Sequence, residues 1–475
     1  MPKAFEKRLG TGIESWWLLG GGVAAYLLAF LAVSFLGFPY AVPILLILPF
    51  IGYLAFQSIL KPVILIIPMF GATYLGEVIH LIPEGAVPIT AFQIFLILTA
   101  IAYFLHLLIN NKVTIKTLGF ELELLLILTL ISLSLIYSPA RESATLFFIR
   151  FIVLIVMVYL IVNILKERKE FYYIFGLLAL VAMILGTMSV RSALLDPVTA
   201  YMNFLAGGAR IIGRGAITVE DPNVFASIFF IPIAFTSSIF LSGLNVWKRS
   251  LAFLATVILL AGLASTYSRS AWISTAVLLL VLVIYYKQYK IMTLSILGLI
   301  IIIMSVPELR SISLNLYDRV LDIFSGASDD SSNIRLLLGF AGMRMFFDSY
   351  MLGVGIRGFP DYFTNYYSTQ ESIGVVEPHN VIYELLAELG LPGFLLFLLI
   401  AVIIFRKASA NIRNSKSELD KVVATTLIGT LTAFMVFYQF YGGALYSTLL
   451  WSVIGLIIAH SYQLDRWREN LPTAA

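Results

Sequence analysis

His379 stands where chemistry could be done. It is one of four histidines in the chain, set between Pro378 and Asn380 where a polar stretch gives way to a long apolar one. Glu384 and Glu388 follow one to two helical turns on. A neutral imidazole accepts a proton near pH 7, so His379 suits a general base acting on a hydroxyl, with Asn380 and Glu384 as supporting candidates. A lone histidine is as readily structural, and spacing leaves both roles open.

Arginine is the second chemistry-bearing type. With the N-terminus placed in the cytoplasm, all thirteen lysines fall on the cytoplasmic side, as the positive-inside rule requires. The loops assigned to the outer side hold Arg141, Arg191, Arg210, Arg214, Arg269, Arg310, Arg319, Arg335, Arg344 and Arg357, and no lysine. Orientation bias works against both residue types, so the retained arginines need a separate reason. A guanidinium grips phosphate through a planar donor fork and keeps its charge. The pattern points to an anionic, phosphate-bearing ligand; the alternative is loop ion pairing with Asp318, Asp322 and Asp348. Arg269 lies in the tight turn "STYSRSAWIS" (265–274), where snorkelling beside Trp272 is the competing role. Arg150, in "LFFIRFIVLIV", sits about two turns inside an apolar run, a depth at which a charge faces a bundle interior or a hydrated cavity.

The elements that must position these residues are membrane spans. Of 475 residues 60% are apolar and 12% charged, and stretches of roughly 20 apolar residues recur from end to end. The fold class is therefore all-α, a polytopic integral membrane protein with about 12–14 transmembrane helices. The spans are expected near 14–36, 40–60, 62–80, 88–110, 118–137, 143–165, 170–190, 223–243, 250–267, 270–286, 290–306, 380–405, 421–440 and 443–462. The first is too long for a signal-peptide core and is expected to be retained. An N-terminal bundle (1–190) precedes a second region (191–475) that contains the large loop 307–377. Within that loop, 308–324 and 333–348 have apolar residues at helical spacing and read as amphipathic helices. From Leu391 to Phe405 runs only about 22 Å of helix against a hydrocarbon core of about 30 Å, so that span also uses residues before "GLPG", with a kink at Pro392.

Several function classes drop out. The absence of cysteine removes thiol catalysis, disulfides and thiolate metal sites, and a net charge of +4 is too small to imply nucleic acid. "GVGIRG" (353–358) fits the dinucleotide fingerprint only formally, because it follows a helix and has no βαβ unit around it. Asp329 and Asp330 read as a solvated turn, not a metal site, and Asp221 with Pro222 reads as a helix N-cap and first turn.

Four stretches together resemble the O-antigen ligase and polymerase family of bacterial envelope proteins: "RGAITVEDPN" (214–223), "TYSRSAW" (266–272), "NIRLLLGFAGMRMFFDSYMLGVGIRGF" (333–359) and "PHNVIYELLAELGLPG" (378–393). Ile217 departs from the glycine that family members often carry three residues after the arginine, and Arg210 competes with Arg214 for that arginine's place. The resemblance implies glycan transfer from an undecaprenyl-pyrophosphate carrier to an acceptor sugar or lipid-linked acceptor. The expected location is the outer side of the bacterial cytoplasmic membrane, with both termini cytoplasmic. It implies no cofactor and no metal. It assigns Arg214 and Arg269 to the carrier pyrophosphate and His379 to the reaction centre. Beyond the resemblance, the residues themselves suggest Arg210 or Arg335 as a further pyrophosphate ligand and Arg150 as an inward extension of the anion path. The "PHN…ELG" block resembles polymerases slightly more than ligases, and a polymerase would work beside a chain-length regulator. A ligase to lipid A-core or another anchor is the alternative. A lipid-glycan flippase is disfavoured, because transporters gather ionisable groups at the midplane and often within internal repeats.

Overall fold

The computed structural model describes residues 56–76, 90–110, 115–195, 210–211, 218–219, 221–291, 330–367 and 378–469, with a few single positions besides. The chain forms two compact units: Met1–Met69 with Phe92–Ile115, and Phe70–Ala91 with Lys116–Ala475. α1 spans Val63–Gly76 and α2 spans Ala91–Asn110. In the first unit His106 of α2 bonds through Nδ1 to the Ile59 carbonyl at 2.9 Å, a structural use of a histidine.

The second unit carries α3 (Glu121–Tyr137), α4 (Arg141–Ile164), α5 (Arg168–Leu195), α6 (Pro222–Ser227), α7 (Phe230–Leu241), α8 (Val246–Ala264) and α9 (Arg269–Tyr286). α10 (Asp330–Asp348), α11 (Phe359–Tyr367), α12 (Val381–Asn414), α13 (Glu418–Phe437) and α14 (Thr448–Glu469) follow. The protein is an all-α, multi-pass membrane protein: among the described residues eight helices are long and apolar enough to cross a bilayer. Eight of the expected spans from 62 onward fall on these helices, and 62–80, 118–137 and 443–462 fall on α1, α3 and α14, which are not among the eight; most of 290–306 lies outside the described residues with 14–36 and most of 40–60. Among the described residues the extended structure is one ladder of two-residue strands, β1 (Arg210–Ile211) antiparallel to β2 (Thr218–Val219).

Burial ranks the helices. In the apolar windows of Pro222–Leu241 and Glu418–Phe437, 83% and 72% of residues are buried, against 28% for Val246–Ala264. The α6–α7 run and α13 are therefore the middle of the bundle, and the apolar side chains that α4, α8 and α12 expose, such as Ile149, Leu251 and Leu395, are the surface offered to lipid. Helix starts are set by side-chain caps: Asn245 accepts from Lys248 N at 3.0 Å and Ser417 from Asp420 N at 3.1 Å, each worth about 1 kcal/mol. At that same end Arg168 of α5 pairs with Asp420 of α13 at 3.4 Å.

Of the two expected amphipathic helices, 333–348 is α10, and 308–324 lies outside the described residues. α11 is an element the sequence did not announce. The kink expected at Pro392 falls at Gly390, which takes φ 67° and ψ −165° inside α12. Pro392 is the cause. It has no N–H to give Glu388 O and disfavours helical backbone at residue 391, so the ladder fails one step earlier, where glycine can absorb the turn. The freed groups are taken up by the turn after α10. Val354 N donates to Ala387 O at 2.8 Å, Gly355 N to Glu388 O at 3.0 Å, and Leu391 N to Met351 O at 2.9 Å. The glycines of "GVGIRG" thus serve close backbone approach: a Cβ on Gly353 would lie 2.5 Å from Glu388 O.

Candidate active site

Helix termini meet at the end of the bundle opposite the Arg168–Asp420 pair, and His379 sits among them. His379 adopts φ 46°, a left-handed conformation that costs a non-glycine residue on the order of 1 kcal/mol and persists only where its surroundings impose it. The imposing contacts follow at once. Asn380 caps α12, its Oδ1 accepting from Ile382 N at 2.9 Å and Tyr383 N at 3.2 Å. Its Nδ2 donates to Gln439 O at 2.8 Å, and Val381 N donates to Tyr438 O at 2.8 Å. The turn after α13 therefore holds both sides of the α12 start, and the half-buried imidazole faces Tyr441 with ring centroids 6.3 Å apart.

From Tyr441 a chain of polar contacts runs to Arg269. The Tyr441 hydroxyl donates to Asp221 Oδ2 at 2.8 Å, and Asp221 Oδ1 accepts from Asn223 N at 2.7 Å as the cap of α6. Asn223 Oδ1 accepts from Ser268 Oγ at 2.7 Å. Ser268 caps α9, whose first residue is Arg269, half-buried in the structure. Asp221 is thus the helix cap expected of it, and its second oxygen makes it a strut between two chain segments 220 residues apart.

Arg335 projects from α10 within electrostatic reach of Arg269. Desolvation by neighbouring atoms, and after it the like charge of Arg269, lower its pKa from the ordinary guanidinium value. Although the side chain keeps an exposed face, both effects point the same way. An arginine stays protonated regardless, so the pair is a standing concentration of positive charge. α10 is carried by packing on α12 through Leu338, Ala341, Met345, Phe359 and Ala387.

The two glutamates of α12 are buried and accept backbone donors: Glu384 Oε2 from Gly443 N at 2.6 Å, and Glu388 Oε1 from Phe359 N at 3.4 Å. Glu384 therefore fastens the 438–447 turn, and Glu388 the start of α11. Arg150, nine residues into α4, lines a cavity of about 170 Å³ with Tyr441, Gly442 and Tyr446. Arg210 lies on β1, and Arg214 is outside the described residues. Among the described residues no group of three or more His, Asp or Glu side chains is placed to hold a metal ion.

The sequence reading missed Tyr441 and Tyr446, and it named Arg357 only among the outer-loop arginines. Its available signal was "QFYGGALYS" (439–447), a run of aromatics and paired glycines too polar for the short link between two spans.

Fold and site define a polytopic α-helical membrane protein whose titratable and cationic side chains converge on the helix ends at one end of the bundle. A family model described as O-antigen ligase matches residues 254–398 of the chain. This is the family that the sequence motifs resemble, and the match supports glycan transfer of the O-antigen ligase and polymerase type. The matched stretch contains Arg269, Arg335, His379, Asn380 and Glu384, while Arg150, Arg210 and Arg214 precede it. No curated protein matches the chain.

Proposed function

We propose that the protein moves a glycan from a polyprenyl-pyrophosphate carrier to an acceptor hydroxyl at the extracytoplasmic surface of the bacterial inner membrane. The reading rests on one conjunction: the family-matched stretch carries His379, Arg269 and Arg335, and from Tyr441, whose ring centroid lies 6.3 Å from that of His379, hydrogen bonds lead to Ser268, the cap next to Arg269. His379 takes the proton as the acceptor oxygen bonds to the anomeric carbon. The bond from that carbon to the carrier phosphate breaks, and the lipid pyrophosphate leaves with the electron pair. Arg269 and Arg335, with Arg214 and Arg210 contributed by the preceding segment, stabilise the charge that accumulates on that leaving group. Displacement in one step inverts the anomeric centre, and a histidine base with arginine stabilisation needs no metal.

Between the two family activities we favour polymerase, in which the acceptor is itself a carrier-linked glycan. The test is reconstitution of the purified protein with a carrier-linked repeat unit in the presence of a chelator. A ladder of longer carrier-linked glycans, with release of polyprenyl pyrophosphate, is expected. Transfer only to an added lipid anchor would make the protein a ligase. No release of polyprenyl pyrophosphate with either acceptor would overturn the reading.

A further inference from the structure

The end of α12 away from His379 carries an open groove of about 570 Å³, lined by Phe405, Arg406, Lys407, Ser409, Ala410 and Arg413. Arg406 and Arg413 are exposed and Lys407 is half-buried. Among the described residues no carboxylate comes within 4 Å of any of the three. Glu418 and Asp420, the next acidic residues along the chain, are engaged elsewhere. Glu418 Oε2 accepts from Gly243 N at 2.9 Å, and Asp420 pairs with Arg168 at 3.4 Å. The groove therefore concentrates positive charge that the protein itself leaves unneutralised.

The spacing along α12 says what kind of anion fits. At about 3.6 residues per turn, Leu395, Leu399, Val402, Arg406, Ser409 and Arg413 fall on one stripe of the helix. Its first half is apolar and exposed, the surface offered to lipid, and its second half is polar and cationic. Leu391–Phe405 supplies about 22 Å of rise, and the residues before Gly390 supply the rest of a hydrocarbon core of about 30 Å. The stripe thus turns from apolar to cationic where the acyl layer ends. Arg406 and Arg413 stand about 10 Å apart along the axis, enough to run through the headgroup layer. A free anion would meet only the charged half, whereas an anionic lipid meets both.

We propose that this groove holds the phosphate of an anionic phospholipid in the leaflet at that end of the bundle. Arg406 and Arg413 grip the headgroup, since a guanidinium fork matches phosphate geometry, and an acyl chain covers the Leu395–Val402 stretch. Basic side chains at a helix end draw anionic lipid in this way. The inference stands apart from the glycan-transfer reading and holds for either orientation in the membrane.

The test titrates the full-length protein in detergent with phosphatidylglycerol and, separately, with phosphatidylcholine, and counts bound lipid by native mass spectrometry. The wild type should prefer phosphatidylglycerol by about tenfold to thirtyfold, the worth of two cations facing an anionic lipid. The double variant Arg406→Gln, Arg413→Gln should lose that preference. Arg406→Lys with Arg413→Lys, which keeps both charges and guards against loss of fold, should retain part of it. Lys287→Gln with Lys290→Gln, also exposed at this end but outside the groove, should bind as the wild type does. An equal loss in that control would reduce the effect to general surface charge and overturn the site. Displacement of the bound lipid by an equal concentration of glycerol phosphate would overturn the part assigned to the acyl chain. A wild type with no preference for phosphatidylglycerol would overturn the lipid assignment and leave the groove to an acidic protein segment.

Discussion

Replacing Gly390 by alanine should undock the turn that carries "GVGIRG". The added Cβ would fall against Met351 O and lie 2.5 Å from Leu352 C, in a backbone conformation (φ 67°, ψ −165°) that is essentially reserved for glycine. The strain alone costs about 2 kcal/mol, and the overlap adds about 1 kcal/mol or more. Against this, docking on α12 is made by three hydrogen bonds, from Val354 N, Gly355 N and Leu391 N, each contributing about 1 kcal/mol net, while Ile356 is tied separately to Ser134 and Ser138. The substitution therefore removes an amount comparable to what those bonds supply, and about 3 kcal/mol is roughly a hundredfold in an equilibrium. Hydrogen exchange on the purified protein reads this directly. Amides in 352–358 and at Leu391 should exchange about a hundredfold faster, while peptides from α13 keep their protection. Unchanged exchange in 352–358, with an unaltered melting temperature, would refute the account of the break.

His379→Ala and His379→Gln should insert normally yet transfer glycan at least about a hundredfold more slowly per molecule; a glutamine variant with wild-type turnover would remove the base. Turnover of the wild type should fall in acid, because a protonated imidazole cannot accept a proton. Arg269→Lys should recover little of the activity lost in Arg269→Ala, measured as carrier pyrophosphate released, since a point charge does not reproduce the donor fork. Tyr350, 88% exposed after α10, should react as cysteine with an impermeant thiol reagent in intact cells, and a cysteine at Ser415 should not. The reverse labelling would invert the proposed orientation.

What the sequence made legible was whatever depends on local composition. Runs of apolar residues located α4, α5, α8, α9, α12 and α13, because burial in lipid demands unbroken hydrocarbon. Asp221 was readable as a cap because capping is decided within three residues. What stayed hidden depends on distant segments meeting. Asp221 and Tyr441 are 220 positions apart, and nothing local says that the hydroxyl of one reaches the free oxygen of the other. The same holds for Glu384, legible as a proton acceptor near His379 yet bonded to Gly443 N. Pro392 announced a break but not its place, because that was set jointly by Gly390 and by a turn forty residues upstream that supplied partners for the orphaned groups.

The break in α12 has a mechanical consequence. Residues 381–389 are tied to the turn after α13 through Asn380, Val381 and Glu384, whereas 391–414 exposes Leu395, Leu398, Leu399 and Val402 to lipid. A thinner or thicker bilayer makes a long apolar helix tilt. With Gly390 as a joint, that tilt rotates the lipid-facing segment and leaves the short segment bearing His379 in place. The short segment beside His379 is thus insulated from the thickness of the membrane that holds it.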